Sequence, residues 1–201
     1  DNGRISCFTG KIEMGQGIIT SLAQMLAEEL NVSLDSVDMI MGDTDLCPYD
    51  GGTTGSRSTK FFGPALRRAA AEAKAVLVQL AAERWNIDKD RLYVQDGKII
   101  DSENKKSLTY ADLAVGRKIE RHIQGQVQPE PVHEHTLCGQ PVKHTDALLK
   151  VTGAAKFAAD IRMENMLYAR VVRPPAHGAK LVSVNTEKAR SMPGVRFIEE
   201  Q

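Results

Sequence analysis

Aromatic residues are scarce, 5% of 201, and neither sign of charge dominates: 26 Lys and Arg stand against 26 Asp and Glu. A chain with no basic excess and few stacking rings offers neither an electrostatic footprint for nucleic acid nor a platform for its bases. Long apolar runs are missing too; none approaches the ~20 residues that cross a bilayer. Cysteine is limited to Cys7, Cys47 and Cys138, far apart and without a CxxC pair. An odd number of this kind does not close a disulfide framework.

What is present is an ordinary globular composition, 42% hydrophobic and 26% charged. The length suits one large or two small domains with a real core. There is no initiating Met, and both ends, "DNGRISCF" and "GVRFIEEQ", read as strands. The chain is therefore expected to be a piece of a longer soluble protein, cytoplasmic or periplasmic, its compartment not fixed by the sequence.

"GRISCFTGKIE" alternates Ile5 and Cys7 with polar residues and then turns at Gly10, which predicts a strand and a second short strand. Ile18, Ile19, Leu22, Met25, Leu26 and Leu30 follow at helical spacing, with Asn31 as the stop. "DSVDMIMGD" is the next strand. Cys47–Thr59, "CPYDGGTTGSRST", reads as a loop, after which Gly63-Pro64 opens a long helix with Leu66, Ala70, Ala73, Leu77, Leu80 and Trp85 towards one face. The first half is thus β-β-α-β-α. "LYVQDGKII" is a hairpin turning at Asp96-Gly97, and Thr109 with Asp112 forms a capping box for a short helix.

From 125 to 146 the chain carries Pro129, Pro131 and Pro141 among polar clusters and reads as a linker. Beyond it, "AAKFAADI", "LYARVVRP", "AKLVSVN" and "VRFIEE" read as strands, with "TEKARSMPG" as a short helix stopped at Pro193-Gly194. The expected organisation is α+β: residues 1–124, a linker over 125–146, and a second unit over 147–201.

Two loops carry the chemistry. In "KIEMGQGIITSLAQ", Gly15 and Gly17 permit positive φ and bring backbone near a ligand, while Gln16 supplies an amide donor and acceptor. The helix start behind them favours anions. No GxxxxGK[ST] is present and no third glycine completes a dinucleotide fingerprint, so neither nucleotide reading holds. The competing reading is a plain turn with Gln16 in solvent. The second loop crowds Thr53, Thr54, Gly55, Ser56, Arg57, Ser58 and Thr59 before a helix, an anion cradle in which Arg57 can grip phosphate, or else a bare surface loop. Two such loops on one scaffold suggest two walls of one site.

Three weaker candidates accompany them. His133 and His135, with His144 nearby, form an H-x-H pair, though a solvated linker is the simpler reading. Asp43, Asp45 and Asp50 fit no EF-hand pattern and read as a polar loop. Cys47 has no His partner pattern that would make it a nucleophile.

The segments "GKIEMGQGIITSLAQMLAEEL" and "MGDTDLCPYDGGTTGSRST" resemble the molybdopterin-binding subunit of the xanthine dehydrogenase/aldehyde oxidase family. "VTGAAKFAADIRMENMLYARVVRPPAHGAKLVSVN" and "ARSMPGV" resemble that family's α/β hammerhead domain. Here the hammerhead follows the G-Q-G segment, an order similar to the isoquinoline 1-oxidoreductase β-subunit type. The resemblance implies a molybdenum hydroxylase that oxidises an N-heterocycle or aldehyde with water as oxygen source. It implies molybdenum on a molybdopterin cytosine dinucleotide, and an iron–sulfur small subunit carrying 2Fe-2S clusters. Gln16 would hydrogen-bond near the metal centre, with Gly15 and Gly17 beside it as cofactor-binding residues; Gly55, Ser56 and Ser58 would contact the pterin and its phosphates. Arg57 stands where xanthine dehydrogenases often have a small residue. No side chain of this stretch need ligate the metal. The general base would be a glutamate in a motif these residues do not contain, so the piece alone is expected to be inert, with Glu13 structural. The rival reading is a non-catalytic scaffold or subunit-docking module.

Overall fold

The computed structural model describes residues 3–120, 122, 125 and 127–196. The chain divides into two units, Asp1–Ala155 and Lys156–Gln201. In the first, β1 (Ile5–Thr9) leads through a turn into α1 (Ile18–Leu30), and β2 (Val37–Met41) returns parallel to β1, with Cys7 opposite Met39. The loop after β2 enters a π turn (Ser58–Phe62) that runs into α2 (Gly63–Trp85). A three-stranded antiparallel sheet of β3 (Leu92–Gln95), β4 (Lys98–Asp101) and β5 (Ser107–Thr109) follows, then α3 (Tyr110–Ala114). The architecture is α+β. The second short strand expected after Gly10 is absent, so the observed order is β-α-β-α, not β-β-α-β-α. Residues 11–13 give their polar groups to loop partners instead: Ile12 donates its N–H to Thr53 Oγ1 at 2.8 Å.

α1 forms where the sequence places it. Its residues are good helix formers, and Asn31 ends it in the left-handed region at φ 50°, donating its N–H to Ala27 and Glu28 carbonyls. Its apolar stripe of Ile18, Leu22, Leu26 and Leu30 packs with Val37, Leu66 and Ala70 in one core. A second core joins Ala81, Ile99 and Leu113 with Leu77, Leu80 and Trp85. α2 therefore serves both cores, its N-terminal half against α1 and its C-terminal half against the sheet. Ala73, expected on the buried face, is exposed, because it falls between the two cores. Asp96 and Gly97 both have positive φ, 49° and 68°, as the hairpin turn requires. The Thr109–Asp112 capping box is formed.

Two adjacent acids dominate the interior. Glu29 is 0% exposed and Glu28 4%. Glu29 accepts from Arg67 Nε and from the Glu130 N–H, the latter at 3.0 Å. Glu28 accepts from the N–H groups of Thr136, Leu137 and Cys138 at 2.9, 2.7 and 2.6 Å, and from Thr136 Oγ1 at 3.1 Å. Gln24 Nε2 donates to the carbonyls of Leu137 and Gln140, and Lys74 pairs with Glu130 at 2.6 Å. The stretch expected to be a linker over 125–146 is consequently bound along α1 from residue 130 onward, and α4 (Ala147–Val151) belongs to the first unit. Its anchors are backbone N–H groups, which carry no sequence signature, and the carboxylates that receive them lie a hundred residues earlier.

In the second unit, α5 (Glu187–Arg190) matches the expected short helix. No strand is present among its described residues, in contrast to the stretches read as strands between 154 and 185. Their apolar side chains face solvent, Val172 at 95% and Val182 at 93% exposure. An alternating stretch gains as a strand only when a neighbour takes its N–H and C=O groups and a layer covers one face. Of the last expected strand, residues 197–200 lie outside the described residues.

Removing Glu29 takes the carboxylate from half-buried Arg67 and leaves the Glu130 N–H without its acceptor. Glu29→Ala is expected to lower stability by about 3–5 kcal/mol, read by chemical denaturation, whereas exposed Glu83→Ala stays within about 0.5 kcal/mol. Glu28 supplies a pH test. Burial raises its carboxyl, but the Thr136, Cys138 and Leu137 N–H groups outweigh burial and hold it below the ordinary 4.5. A depressed acid stabilises the fold above its unfolded value and loses that contribution as pH falls through its folded value. The thermal midpoint should hold above pH 4.5 and drop below it. Glu28→Gln should be less stable at neutral pH and show a shallower acid limb.

Candidate functional site

The site lies where two loops meet at the β1–β2 end. In the first loop the chain uses its own carboxylate. Glu13 Oε1 accepts from the N–H groups of Gly15 and Gly17 at 2.7 and 3.1 Å, and Oε2 from Ile19 at 2.9 Å. Burial raises the Glu13 carboxyl, yet the Ile19, Gly17 and Gly15 N–H groups and Lys150 bring it below its usual value. The N–H groups opening α1 are thus filled by an internal anion, which corrects the expectation that this helix start holds an external one. Gln16 is exposed and folds back on the loop: Nε2 donates to the Ile12 carbonyl at 2.8 Å, and Oε1 accepts from the Met14 N–H. One amide hydrogen and one oxygen lone pair stay available.

Lys11 ties the loops together. Its ammonium donates to Asp50 Oδ1 at 2.7 Å and to the Gly52 carbonyl at 3.0 Å, and lies 5.6 Å from the Phe62 ring centroid at the head of α2. Lys11 in turn holds the Asp50 carboxyl below its usual range. Contact is tightest at Gly10, where an added Cβ would lie 2.5 Å from both Asp50 Cβ and the Pro48 carbonyl oxygen. These contacts hold the two loops against each other.

The second loop stays open. Gly55 and Ser56 are both left-handed, φ 62° and 55°, and exposed, while Ser58 is buried at the start of the π turn. Among the described residues, the N–H groups of Thr54, Gly55 and Ser56 have no protein acceptor. Gly15 has nothing within 4 Å of where a Cβ would stand. The exposed Thr54–Ser56 stretch therefore keeps its backbone donors free of protein acceptors, directly before a helix.

The weaker candidates are used internally. Asp43 Oδ1 accepts from the N–H groups of Asp45 and Leu46, closing a turn, and Asp50 belongs to Lys11. Cys47 donates its thiol to the Ile40 carbonyl at 3.3 Å. The three cysteines are free. His133 stays exposed, while His135 Nε2 meets Arg67 Nη2 at 2.8 Å. Glu28, His135 and Cys138 bring possible ligand atoms within 4.8 Å of one another. That carboxylate is saturated by four hydrogen bonds and a guanidinium faces the imidazole, so the cluster anchors backbone.

Sequence reasoning missed the segment behind the first loop. An added Cβ on Gly17 would come within 2.6 Å of His144 Cε1. The Thr145 N–H donates to Thr20 Oγ1 at 2.9 Å, and Lys150 lies 3.8 Å from Glu13 Oε1. The available signal was an acid placed two and four residues before glycines that open a helix, the spacing of a self-made cap.

Residues 1–148 match the molybdopterin cofactor-binding domain family. A nicotinate dehydrogenase subunit from Pseudomonas putida is 36% identical over 203 residues, covering 97% of this chain and 17% of that protein. The β-subunit of isoquinoline 1-oxidoreductase from Brevundimonas diminuta is 28% identical over 240 residues, 98% of this chain and 30% of that protein. Reconstituted CO dehydrogenase from Oligotropha carboxidovorans aligns over 52% of this chain and 13% of its own, at 33% identity and a TM-score of 0.46. The chain spans less than a third of either curated relative.

The loop contact at Gly10 makes a local prediction. Gly10→Ala pushes a methyl into backbone and should cost about 1–3 kcal/mol, while Gly51→Ala, with open space around it and no positive φ, should be near neutral. Thermal unfolding of the pair checks this; equal midpoints would mean the loops are not packed as described.

Proposed function

The chain belongs to the molybdopterin cofactor-binding domain family, of the xanthine dehydrogenase type, and from that premise we propose that it forms one wall of the cofactor site of a molybdenum-dependent oxidoreductase. The observation that carries the reading is the open arc of unpaired N–H groups at Thr54, Gly55 and Ser56, joined through Lys11 and Gly10 to the Gln16 loop. Those donors, with the Ser56 hydroxyl, suit the oxygens of a pterin and its phosphates. Ser58 is buried at the start of the π turn that follows the arc. The remaining donor and acceptor of Gln16 suit a neutral, hydrogen-bonding centre, and the open space over Gly15 admits a flat ligand at close range. The residues present therefore fit the group.

When bound, the molybdenum centre would supply two-electron oxidation of an electron-poor carbon with water as oxygen source. This chain's own residues bind and orient. Gln16 fixes the centre by hydrogen bonds, and the Thr54–Ser56 arc holds the pterin end. None of this chain's residues is assigned as the general base. Relatives named for nicotinate and isoquinoline, and one named an aldehyde dehydrogenase, keep both a nitrogen heterocycle and an aldehyde within this reading. The designation of the first two as subunits supports a partner chain; an iron–sulfur partner with 2Fe-2S clusters and the cytosine dinucleotide form of the cofactor belong to the same reading. Matches over 97–98% of this chain reach beyond residue 148, and the hammerhead domain over 147–201 that the sequence resembles belongs to the same reading. No helix among the described residues is long and apolar enough to cross a membrane.

The test is metal and pterin analysis of the full-length protein co-expressed with its iron–sulfur partner. Stoichiometric molybdenum with released pterin is expected; absence of both would favour a docking scaffold. Gln16→Ala should lower turnover about 10–100-fold with little change in the unfolding midpoint. Parallel losses of activity and stability would make Gln16 structural.

A further inference from the structure

We propose that Glu13 is a positioning residue for the Gln16 amide, and that Lys150, reaching across from α4, holds Glu13 in that role. The inference rests on the molybdopterin reading above and names which residues set the geometry of that wall.

Gln16 is held by the backbone on either side of Glu13. Its amide donates to Ile12 and accepts from Met14. The carboxylate fixes the other half of the turn, through the N–H groups of Gly15, Gly17 and Ile19. Residues 12 to 19 thus form one closed hydrogen-bonded unit with Gln16 at its crest. The turn contains two left-handed glycines, φ 95° and 82°, and has little conformational preference of its own. A charged acceptor that gathers three donors supplies it. Carboxylate–amide hydrogen bonds of this kind are stronger than neutral ones.

The unit is braced from behind by residues that lie 125 or more positions away in sequence. His144 packs against Gly17, leaving no room for a side chain there. Thr145 and Thr20 exchange contacts at 2.9 and 3.2 Å. Lys150 pairs with Asp146 at 2.6 Å and presents the same ammonium to Glu13 at 3.8 Å. Glu13 and Lys150 are each mostly covered, with side-chain exposures of 15% and 29%, so their attraction is less screened than that of a surface pair. Neither residue needs to touch the cofactor. Glu13 acts through the turn, and Lys150 acts through Glu13.

The test uses the full-length protein with its partner. Three quantities are read together: hydrogen exchange of residues 14–19, molybdenum and pterin retained after gel filtration, and the unfolding midpoint. Glu13→Gln and Lys150→Met are expected to speed exchange across the turn and lower retained cofactor about 10-fold at an unchanged midpoint. Lys150→Arg should keep both near wild type. Unchanged exchange in Glu13→Gln overturns the positioning role whatever the cofactor content. Faster exchange with full cofactor also overturns it, since the turn would then not serve the site. A lowered midpoint accompanying the loss makes Glu13 merely structural. A wild-type protein without molybdenum or pterin sinks the functional reading instead, an outcome the exchange data alone cannot produce.

Discussion

The first unit depends on two neighbouring carboxylates that cannot be left bare. Glu28 and Glu29 sit inside, where an ionised acid is tolerated only if its oxygens are filled. Arg67 comes from α2, and the remaining donors come from the backbone of residues 130–138. Meeting that one requirement docks α2 on α1 and draws a proline-bearing polar segment against the helix. It also delivers His144, Thr145 and Lys150 to the back of the Gln16 loop. The position of the candidate site is thus linked, through covalent continuity, to an electrostatic demand in the core.

The same logic separates the two loops. Both precede helices and both are rich in small polar residues, yet they end in opposite states. The first is closed by Glu13, so its glycines serve shape, and only the crest amide faces out. The second has no internal acid to fill it; Asp43 and Asp50 are spent on the Asp45 and Leu46 N–H groups and on Lys11. A ligand's anionic part is therefore best received at Thr54–Ser56, and its neutral hydrogen-bonding part at Gln16. Charge alone sorts the two ends of one site.

Features written in local chemistry were legible in the sequence. Asn31 as a helix stop, Asp96-Gly97 as a hairpin turn, the Thr109–Asp112 box and both Gly-rich loops each act within a few residues, and each stands where expected. What was hidden acts at long range. Glu29 follows Leu22 by two helical turns and so falls within the apolar stripe of α1, a position that demands a partner without naming it. The segment from 130 to 145 looked like a linker because the partners of its backbone and side chains lie far away in sequence, on α1 and α2. Ala73 obeyed the helical period and still lies exposed, since one helix serves two cores with a gap between them. The stretches expected as strands in the second unit are alternating but uncovered, and alternation describes a surface only when something lies against it.

The acids on α1 also set an order of events. A nascent chain that has made residues 1–85 has both long helices, yet Glu28 lacks every protein donor that it has in the finished unit, and Glu29 has only Arg67. Each is completed by chain about a hundred residues further on, and contacts of such separation close slowly because the intervening loop must be ordered first. Until residue 138 has emerged, Glu28 cannot have its set of protein donors. The loop that carries Gln16 acquires its brace later still, when Lys150 arrives. The partners that back the Gln16 turn are thus the late ones in the first unit's sequence, while the turn itself is among the earliest.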